Sequence, residues 1–227
     1  MNMHAIIGGM GPLASAGYVS TIYEQQRWNL EQELPEIMLL SLPSLPDRTS
    51  ALLSRKEDLL LERLRSALRQ INRFNPTSIV ICCVTSHHLL DRLPEESLPK
   101  IISLTDTALR TLAARGEPAL LLATRGTYEL GVFERSRYFA AAAKLLVRPD
   151  AADQARVHAM IYDDLKQGRR IPETADAIAA LTARYGVRTF IAGCTEFHLV
   201  TRYLWKCHLA APAYIDPLMT IADEEIR

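Results

Sequence analysis

Two segments of the chain share one pattern, in which a short apolar run ends at a cysteine and a threonine follows within two residues. They are residues 79–88, which read IVICCVTSHH, and residues 189–198, which read TFIAGCTEFH. Runs of β-branched and apolar residues predict a buried strand, and the threonine and serine after the first run favour a helix start. A cysteine at such a junction lies near the positive end of a helix dipole, which favours the thiolate. Two such cysteines at matching strand ends predict a paired function.

The composition limits the classes of protein to which the chain can belong. Its 227 residues are 48% hydrophobic, and 26 basic residues balance 26 acidic ones. This balance argues against a nucleic-acid-binding protein and against a protein held on a membrane by charge. No apolar run approaches the roughly 18–20 residues that span a bilayer. The N-terminus lacks the charged region of a signal peptide, and the four cysteines make no disulfide framework. We therefore expect a cytoplasmic protein with reduced thiols.

Predicted strands and helices alternate along the whole chain, and this order favours an α/β architecture with mainly parallel sheets. Ligand sites in such sheets form at the carboxyl ends of the strands. Both cysteine segments are predicted to end there. The predicted strands lie near residues 5–7, 37–42, 79–83, 100–103, 117–123, 145–147 and 189–192, and the predicted helices near 13–30, 52–74, 105–115, 151–167 and 172–185.

A glycine turn follows the first predicted strand, where residues 8–12 read GGMGP. The spacing matches neither the dinucleotide fingerprint G-x-G-x-x-G nor a P-loop, so it does not favour a nucleotide site. A tight turn fits the pattern. A cradle for an anion or a carboxylate, formed by backbone N–H groups at the helix start, fits it as well. Residues 124–127, which read TRGT, repeat the arrangement after a later predicted strand.

The two glycine turns and the two cysteines indicate a weak internal duplication. Gly126 lies 115 residues after Gly11, since 126 − 11 = 115, and the same offset carries Cys83 to position 198, four residues past Cys194. The sequence therefore predicts two similar α/β lobes with an active-site cleft between them. The expected N-terminal lobe is residues 1–103, with residues 210–227 packing back on it, and the expected C-terminal lobe is residues 104–209.

Cys83 and Cys194 are the strongest candidates for catalysis. Neighbouring strand residues point to opposite faces, so we expect Cys83 in the site and Cys82 in the core. A substrate held between two thiols can lose a proton from carbon to one thiolate and gain one from the opposing thiol, which inverts a stereocentre. The carbanion that forms beside a carboxylate needs hydrogen-bond donors. Candidate donors are Thr85, Thr124, Thr127 and Thr195.

Arg48 follows the second predicted strand, on a loop that reads PSLPDRT over residues 43–49. Prolines stiffen such a loop and can hold a side chain in a fixed position. An arginine held there can bind a carboxylate through two parallel hydrogen bonds. The alternative is a solvated surface arginine.

Several motifs together resemble those of the aspartate/glutamate racemase family, and most closely its aspartate racemases. They are GGMGP at 8–12, PDRT at 46–49, TRGT at 124–127, YDDLKQG at 162–168, GCTE at 193–196 and DP at 216–217. The motifs occur in the family's order and span nearly the whole chain. The resemblance implies two similar lobes, racemisation of an acidic amino acid without any cofactor or metal, and a homodimer.

The same resemblance implies a role for individual residues. Cys83 and Cys194 would be the two bases, and Arg48 and Lys166 would hold the side-chain carboxylate of the substrate. The threonines and the glycine turn would surround its α-carboxylate. The residues that the resemblance places around the substrate are Met10, Gly11, Arg48, Val84, Thr85, Thr124, Thr127, Lys166, Thr195 and Glu196.

Val84 departs from the family pattern, which reads Cys-Asn-Thr-x-His where this chain has Cys-Val-Thr-Ser-His. Valine neither donates nor accepts a hydrogen bond, and a buried ammonium that loses a partner costs about 1–3 kcal/mol. Either another group compensates or the substrate differs from free aspartate. Two alternatives follow, namely an enzyme that acts on a different carboxylic acid and a catalytically silent binding protein.

A zinc site is a further alternative. Cys83 and His87 have the spacing C-x₃-H, and Cys194 and His198 repeat it, so the four could form a Cys₂His₂ set. However, side chains four apart at a helix start diverge from a strand-end residue, which disfavours this set.

Overall fold

The computed structural model describes residues 3–26 and 28–224, and it contains two parallel sheets. In the first sheet the strand order is β2-β1-β3, and a parallel bridge between Ile79 and Ile101 extends it by one position. In the second sheet the order is β5-β4-β6-β7. The strands are β1 (Met3–Gly8), β2 (Glu36–Ser41), β3 (Ser78–Ile81), β4 (Ala119–Leu122), β5 (Leu146–Val147), β6 (Thr189–Ala192) and β7 (Ala213–Ile215).

Helices connect the strands. The α-helices are α1 (Pro12–Gln25), α2 (Arg48–Leu53), α3 (Asp58–Asn72), α4 (Leu104–Arg115), α5 (Arg125–Glu129), α6 (Phe139–Ala142), α7 (Ala151–Ala159), α8 (Ile171–Arg184), α9 (Phe197–Lys206) and α10 (Pro217–Glu224). Short 3₁₀ turns lie at Glu31–Glu33, Thr85–Arg92, Glu95–Lys100, Phe133–Arg135 and Leu165–Gln167, and a π-helical segment lies at Met160–Asp164.

The two sheets have the same topology. In each sheet, the strand that comes first along the chain lies between the second and the third. The second strand is at one edge, and a fourth position lies beyond the third strand, namely Ile101 in the first sheet and β7 in the second. The fourth position leads into α4 in the first half and into α10 in the second, and these two helices pack against each other. The predicted α/β class with two similar lobes and parallel sheets is therefore confirmed.

The apolar core has three parts. One cluster lies under the first sheet and one under the second. The third contains residues of both halves and joins them; its members include Ile6, Tyr18, Val80, Leu121, Ile191 and Ile215. Because each buried aliphatic or aromatic side chain contributes roughly 1.5–3 kcal/mol, this shared cluster fixes the carboxyl ends of the two sheets relative to each other.

The long helix predicted over residues 52–74 is two helices, α2 and α3, and this prediction is wrong in its extent. The carboxylate of Asp47 accepts a hydrogen bond from the Ser50 N–H (2.9 Å), which starts α2 at Arg48. Arg55 then takes a left-handed conformation with φ of 55°, which ends the turn before α3 begins. Arg48 is therefore the first residue of a helix, where the sequence predicted a loop.

The helix predicted over residues 151–167 also differs from expectation. It starts as α7, continues as the π segment Met160–Asp164, and ends in a 3₁₀ turn at Gly168, whose φ is 65°. A π segment has more residues per turn than an α-helix, so it rotates the side chains that follow it. The rotation determines where Lys166 points.

The segment after residue 210 contributes to both halves. The sequence assigned it to the first half, but β7 pairs with β6 in the second sheet, while α10 packs on α1. No helix within residues 3–26 and 28–224 is long and apolar enough to cross a bilayer.

Candidate active site

Cys83 and Cys194 lie just beyond the carboxyl ends of β3 and β6, which hold equivalent places in the two sheets. Both side chains are nearly buried, with exposed fractions of 7% and 6%. Negative charge on Cys83 is one of the causes that raise the pKa of Cys194, so the two thiols are within electrostatic range of each other. Cys82 packs in the cluster between the halves and Cys83 in the first-half cluster, as the alternation of strand side chains predicts.

Cys194 is hydrogen-bonded to Glu196. Its Sγ–H donates to Oε2 of the carboxylate at 2.8 Å, and the hydroxyl of Thr195 lies 3.4 Å from the same oxygen. Burial raises the pKa of the Cys194 thiol well above its ordinary value, and the charge and hydrogen bond of Glu196 raise it further. The local environment therefore favours the protonated thiol at Cys194.

Arg48 is the cation next to Cys83. Its Nη2 donates to the carbonyl of Met10 (2.5 Å) and its Nη1 to the carbonyl of Pro46 (3.2 Å). Burial opposes its charge, but the negative charges of Cys83, Asp47 and Glu196 raise the pKa of Arg48. The guanidinium thus binds the glycine turn to the start of α2, and its positive charge interacts with both Cys83 and Glu196.

Lys166 reaches from the second half to the first. Its Nζ lies 3.3 Å from Oδ2 of Asp47 and 3.4 Å from the centre of the Tyr162 ring, and the Tyr162 hydroxyl donates to the same Oδ2 at 2.8 Å. Burial opposes the charge of Asp47, but hydrogen bonds from Ser50 and Tyr162, together with the charge of Lys166, lower its pKa to about 2. These contacts hold the ammonium of Lys166 at Asp47, the residue that caps the start of α2.

Three threonine hydroxyls form a triangle across the boundary between the halves. Thr85 Oγ1 lies 3.1 Å from Thr124 Oγ1 and 3.0 Å from Thr127 Oγ1, and the latter two are 3.1 Å apart. All three residues are buried. Thr124 also caps α5 by accepting from the Thr127 N–H at 3.3 Å. Each hydroxyl can rotate its proton, so the triangle can present donors to a carboxylate.

The two glycine turns make close contacts with the opposite half. A Cβ built on Gly11 would lie 2.7 Å from Oε1 of Glu196, and one built on Gly126 would lie 2.9 Å from Oγ1 of Thr49. A side chain at Gly11 would therefore require the end of the Glu196 side chain to move, and one at Gly126 would crowd Thr49, whose Cα would lie at 3.1 Å. Met10, between the first turn and Arg48, is buried and accepts a weak hydrogen bond from Ser86 at its sulfur (3.4 Å).

Both histidines of the zinc alternative have their ring nitrogens engaged. In His87, Nε2 accepts from the Leu104 N–H at 3.0 Å, so the proton lies on Nδ1, which donates to the carbonyl of Cys83 at 3.0 Å. In His198, Nδ1 bonds Asp216 at 2.6 Å and Nε2 bonds Thr21 at 2.9 Å. Within the described part of the chain, no group of three or more His, Cys, Asp or Glu side chains could hold a metal ion.

Val84 is 2% exposed and packs in the apolar cluster between the halves. Its neighbours in this cluster include Cys82 and Val132. A valine at this position therefore contributes to the contact between the halves, and it supplies no polar atom to the space beside Cys83.

The structure collects the predicted residues at the carboxyl ends of both sheets, and it adds two that the sequence did not single out. Asp47 and Tyr162 hold Lys166, as described above. An aspartate directly before an apolar segment of helical spacing is a helix-cap signal, and it could have identified Asp47. Cavities of about 440 Å³ and 220 Å³ lie along α4 near Asp106 and Arg137, and neither cysteine side chain lines them.

Comparison with known proteins gives the same fold. Aspartate racemase from Picrophilus torridus superposes with a TM-score of 0.79 at 20% identity, covering 99% of this chain and 94% of that one. An aspartate racemase homologue from Pyrococcus horikoshii gives 0.69 at 20% identity, covering 98% and 96%. Glutamate racemase from Francisella tularensis, in complex with D-glutamate, gives 0.60 at 14% identity, covering 97% and 78%.

Two parallel sheets of the same topology, with a cysteine at each equivalent strand end, define a two-lobed racemase fold. The sequence matches the profile of the Asp/Glu/Hydantoin racemase family over residues 7–222. The chain therefore belongs to that family, as the motifs predict, and its membership supports an amino-acid racemase function.

Proposed function

We propose that this protein racemises an acidic amino acid, aspartate in the first place, by two-base proton transfer without a cofactor. The observation that carries the proposal is the pair of buried cysteines at equivalent strand ends, one beside the cation of Arg48 and the other bonded to the carboxylate of Glu196. An acid and a base on opposite faces of one carbon are what inversion requires.

In the proposed reaction, the thiolate of Cys83 removes the α-proton, so the C–H bond breaks and its electron pair delocalises onto the α-carboxylate. The thiol of Cys194 then gives its proton to the opposite face of the same carbon. Cys83 ends as the thiol and Cys194 as the thiolate, and the other enantiomer reacts through the same steps in reverse. Glu196 stabilises the protonated form of Cys194, because its carboxylate accepts a hydrogen bond from the Sγ–H.

The substrate class rests on the charges around the two thiols. Arg48 and Lys166 supply two cations, and the hydroxyls of Thr85, Thr124 and Thr127 supply donors for a second carboxylate. Donors placed where negative charge develops stabilise an enediolate-like transition state. We further propose that the halves 1–103 and 104–209 act as lobes that enclose the substrate, and that the protein is a cytoplasmic homodimer.

A second candidate keeps the two-thiol chemistry and changes the substrate to a different carboxylic acid. Val84 favours it, because the valine removes the polar atom that an amide would supply beside Cys83. The two candidates differ in whether the substrate carries an amino group.

Proton NMR in D₂O tests the proposal. The protein is incubated, free of added metal, with L- and D-aspartate and with L- and D-glutamate, and the α-proton signal is followed while the enantiomers are separated on a chiral column. Loss of the signal with appearance of the other enantiomer supports racemisation by two bases. Exchange without inversion would mean that one thiol alone acts on that substrate. No exchange with any of the four would overturn the proposed substrate and favour the second candidate.

A further inference from the structure

Glu196 has one carboxylate oxygen that the protein uses and one that it does not. The residue is 2% exposed. Oε2 lies 2.8 Å from the Cys194 sulfur and 3.4 Å from the Thr195 hydroxyl, whereas Oε1 is buried with no hydrogen-bond partner among residues 3–26 and 28–224. A buried carboxylate oxygen without a donor loses its water and gains nothing in return, so such atoms are rare and point to a missing partner.

No hydrogen bond to Oε1 is made by the residues that the structure describes, and the Nε of Arg48, a buried donor, also has no hydrogen-bond partner among them. The oxygen faces the backbone of Gly11, where a Cβ would come within 2.7 Å of it. Arg48 interacts electrostatically with Glu196, but its two terminal nitrogens donate to the carbonyls of Met10 and Pro46. The absence of a side chain at Gly11 therefore lets the carboxylate lie against the glycine turn, where Oε1 is buried.

An acidic amino acid has one positive group, its α-ammonium, and that group carries three N–H donors. In the proposed site, Arg48, Lys166 and the threonine triangle favour the two carboxylates. The ammonium needs an acceptor, preferably a charged one, because charge-assisted hydrogen bonds are the strong ones. Val84, next to Cys83, has no polar side-chain atom to offer.

We propose that Oε1 of Glu196 accepts a hydrogen bond from the α-ammonium of the substrate, an inference that rests on the proposed function. One carboxylate then holds two partners, the Cys194 thiol on Oε2 and the ammonium on Oε1. Since the ammonium is bonded directly to the α-carbon, this arrangement brings that carbon next to the Cys194 sulfur. It also makes Glu196 the residue that selects an amino dicarboxylic acid over a dicarboxylic acid without an amino group.

Calorimetric binding of aspartate and of succinate, which lacks the amino group, tests this assignment. The parent protein carries Cys83→Ser and Cys194→Ser, so that no turnover occurs and a hydroxyl remains opposite Glu196. Adding Glu196→Gln keeps the shape of the side chain and removes its charge. The expected result is a loss of about 10–100-fold in affinity for aspartate, as for a lost hydrogen bond to a charged group, with the affinity for succinate unchanged within about 3-fold.

Gly11→Ala provides a second variant, which keeps the Glu196 carboxylate chemically intact but forces its Oε1 to move, because a Cβ at residue 11 would lie 2.7 Å from that oxygen. Its methyl group would occupy the space in front of Oε1, and the backbone at Gly11, with φ of −144°, accepts alanine. We expect this variant to lower the affinity for aspartate more than the affinity for succinate. Gly17→Ala is the matched control on the same helix, because a Cβ there meets only ordinary contacts, the nearest at 3.4 Å from Arg202, and it should leave both affinities unchanged.

The outcomes separate this inference from the proposed function. Equal losses for aspartate and succinate, or no loss for either, in both Glu196→Gln and Gly11→Ala would overturn the ammonium assignment alone. A parent protein that binds succinate but neither aspartate nor glutamate would overturn the proposed substrate class together with it. Selective loss of aspartate binding in the folded Glu196→Gln variant, judged by an unchanged thermal melt, or in Gly11→Ala, supports it.

Discussion

The two cysteine ends have the same backbone setting and opposite charge settings. Cys83 and Cys194 both follow the third strand of a parallel sheet, and both are buried. Cys83 lies near the guanidinium of Arg48, whereas Cys194 donates to the carboxylate of Glu196. Burial, together with the charge and hydrogen bond of Glu196, raises the pKa of Cys194 well above its ordinary value. A duplicated fold can therefore place two thiols at equivalent strand ends and still give each a different charged neighbour.

The histidines four residues further on differ in the same way. His87 is buried without a carboxylate partner and bonds only backbone groups, while His198 is bonded to Asp216. Burial lowers the pKa of His87 to about 4. Burial favours the neutral form of Asp216, but the charge and hydrogen bond of His198 lower the pKa of this carboxyl group. Each histidine connects its cysteine segment to the residues that follow the fourth position of its sheet. His87 accepts from the Leu104 N–H, whereas His198 is bonded to the carboxylate of Asp216.

Removing either thiol should have the largest effect. Cys83→Ala and Cys194→Ala are each expected to lower racemisation by about 10²–10⁴-fold, the usual contribution of a general base. Cys→Ser at one position should retain exchange of the α-proton on the other face. The measurement is enantiomer formation together with deuterium incorporation.

Cys207→Ala is the matched control for these variants, because Cys207 is an exposed free thiol. Full racemisation by either active-site alanine variant would overturn the two-base assignment. The different charged neighbours of Cys83 and Cys194 would then have no role in the reaction.

Arg48→Ala tests the cation at the first cysteine. We expect dicarboxylate binding to weaken by about 10–100-fold through loss of a charged hydrogen-bond donor, with a smaller effect on a neutral amino acid such as alanine. Competition or calorimetric binding gives both affinities. The exposed Arg69→Ala serves as the control on α3. Equal weakening for both ligands would mean that Arg48 acts only by holding the carbonyls of Met10 and Pro46.

Lowering the pH should destabilise the fold through His87, whose ring nitrogens bond only backbone groups. Its pKa in the folded state is about 4, below its unfolded value of about 6.5, so the unfolded chain binds more protons between those values. This contribution is complete above about pH 6.5 and is lost as the pH falls toward 4, by up to about 1.4 kcal/mol per pH unit. Denaturant unfolding of the wild type and of His87→Gln measures the slope.

A shallower slope in His87→Gln is the expected outcome, and His208→Asn, at an exposed position that asparagine tolerates, should leave the slope unchanged. The buried His4, whose pKa burial also lowers to about 4, continues to contribute in both variants. Identical slopes for wild type and His87→Gln would show that protonation of His87 does not contribute to the pH dependence of stability.

The sequence predicts the repeated topology well, because strand periodicity, glycine turns and the offset of 115 residues are local signals that survive in one chain. It also separates Cys83 from Cys82 by the alternation of strand side chains. It does not predict the hydrogen bond between Glu196 and Cys194, or the contact of Lys166 with Asp47, since these depend on how side chains from distant segments meet. Asp47 and Tyr162 hold Lys166 through that contact, and no local sequence pattern predicts its geometry.

The division of the predicted long helix into α2 and α3 has a local cause that the apolar periodicity hid. Residues 54–58 read SRKED, and leucines seven residues apart on either side, such as Leu53 and Leu60, fit one face of a continuous helix, so the pattern alone predicts one helix. The cap at Asp47 and the left-handed Arg55 decide the outcome. The same cap places Arg48 in the first turn of α2, next to the glycine turn.

The packing of α10 on α1 has a consequence for synthesis of the chain on the ribosome. Leu218, Ile221 and Ala222 of α10 lie in one apolar cluster with Tyr18 and Ile22 of α1. Because translation proceeds from the N-terminus at about 5–20 residues per second, α1 emerges roughly 200 residues before its partner. The nascent first half therefore carries an uncovered apolar face for on the order of 10–40 s, and it is during this interval that a chaperone would be needed.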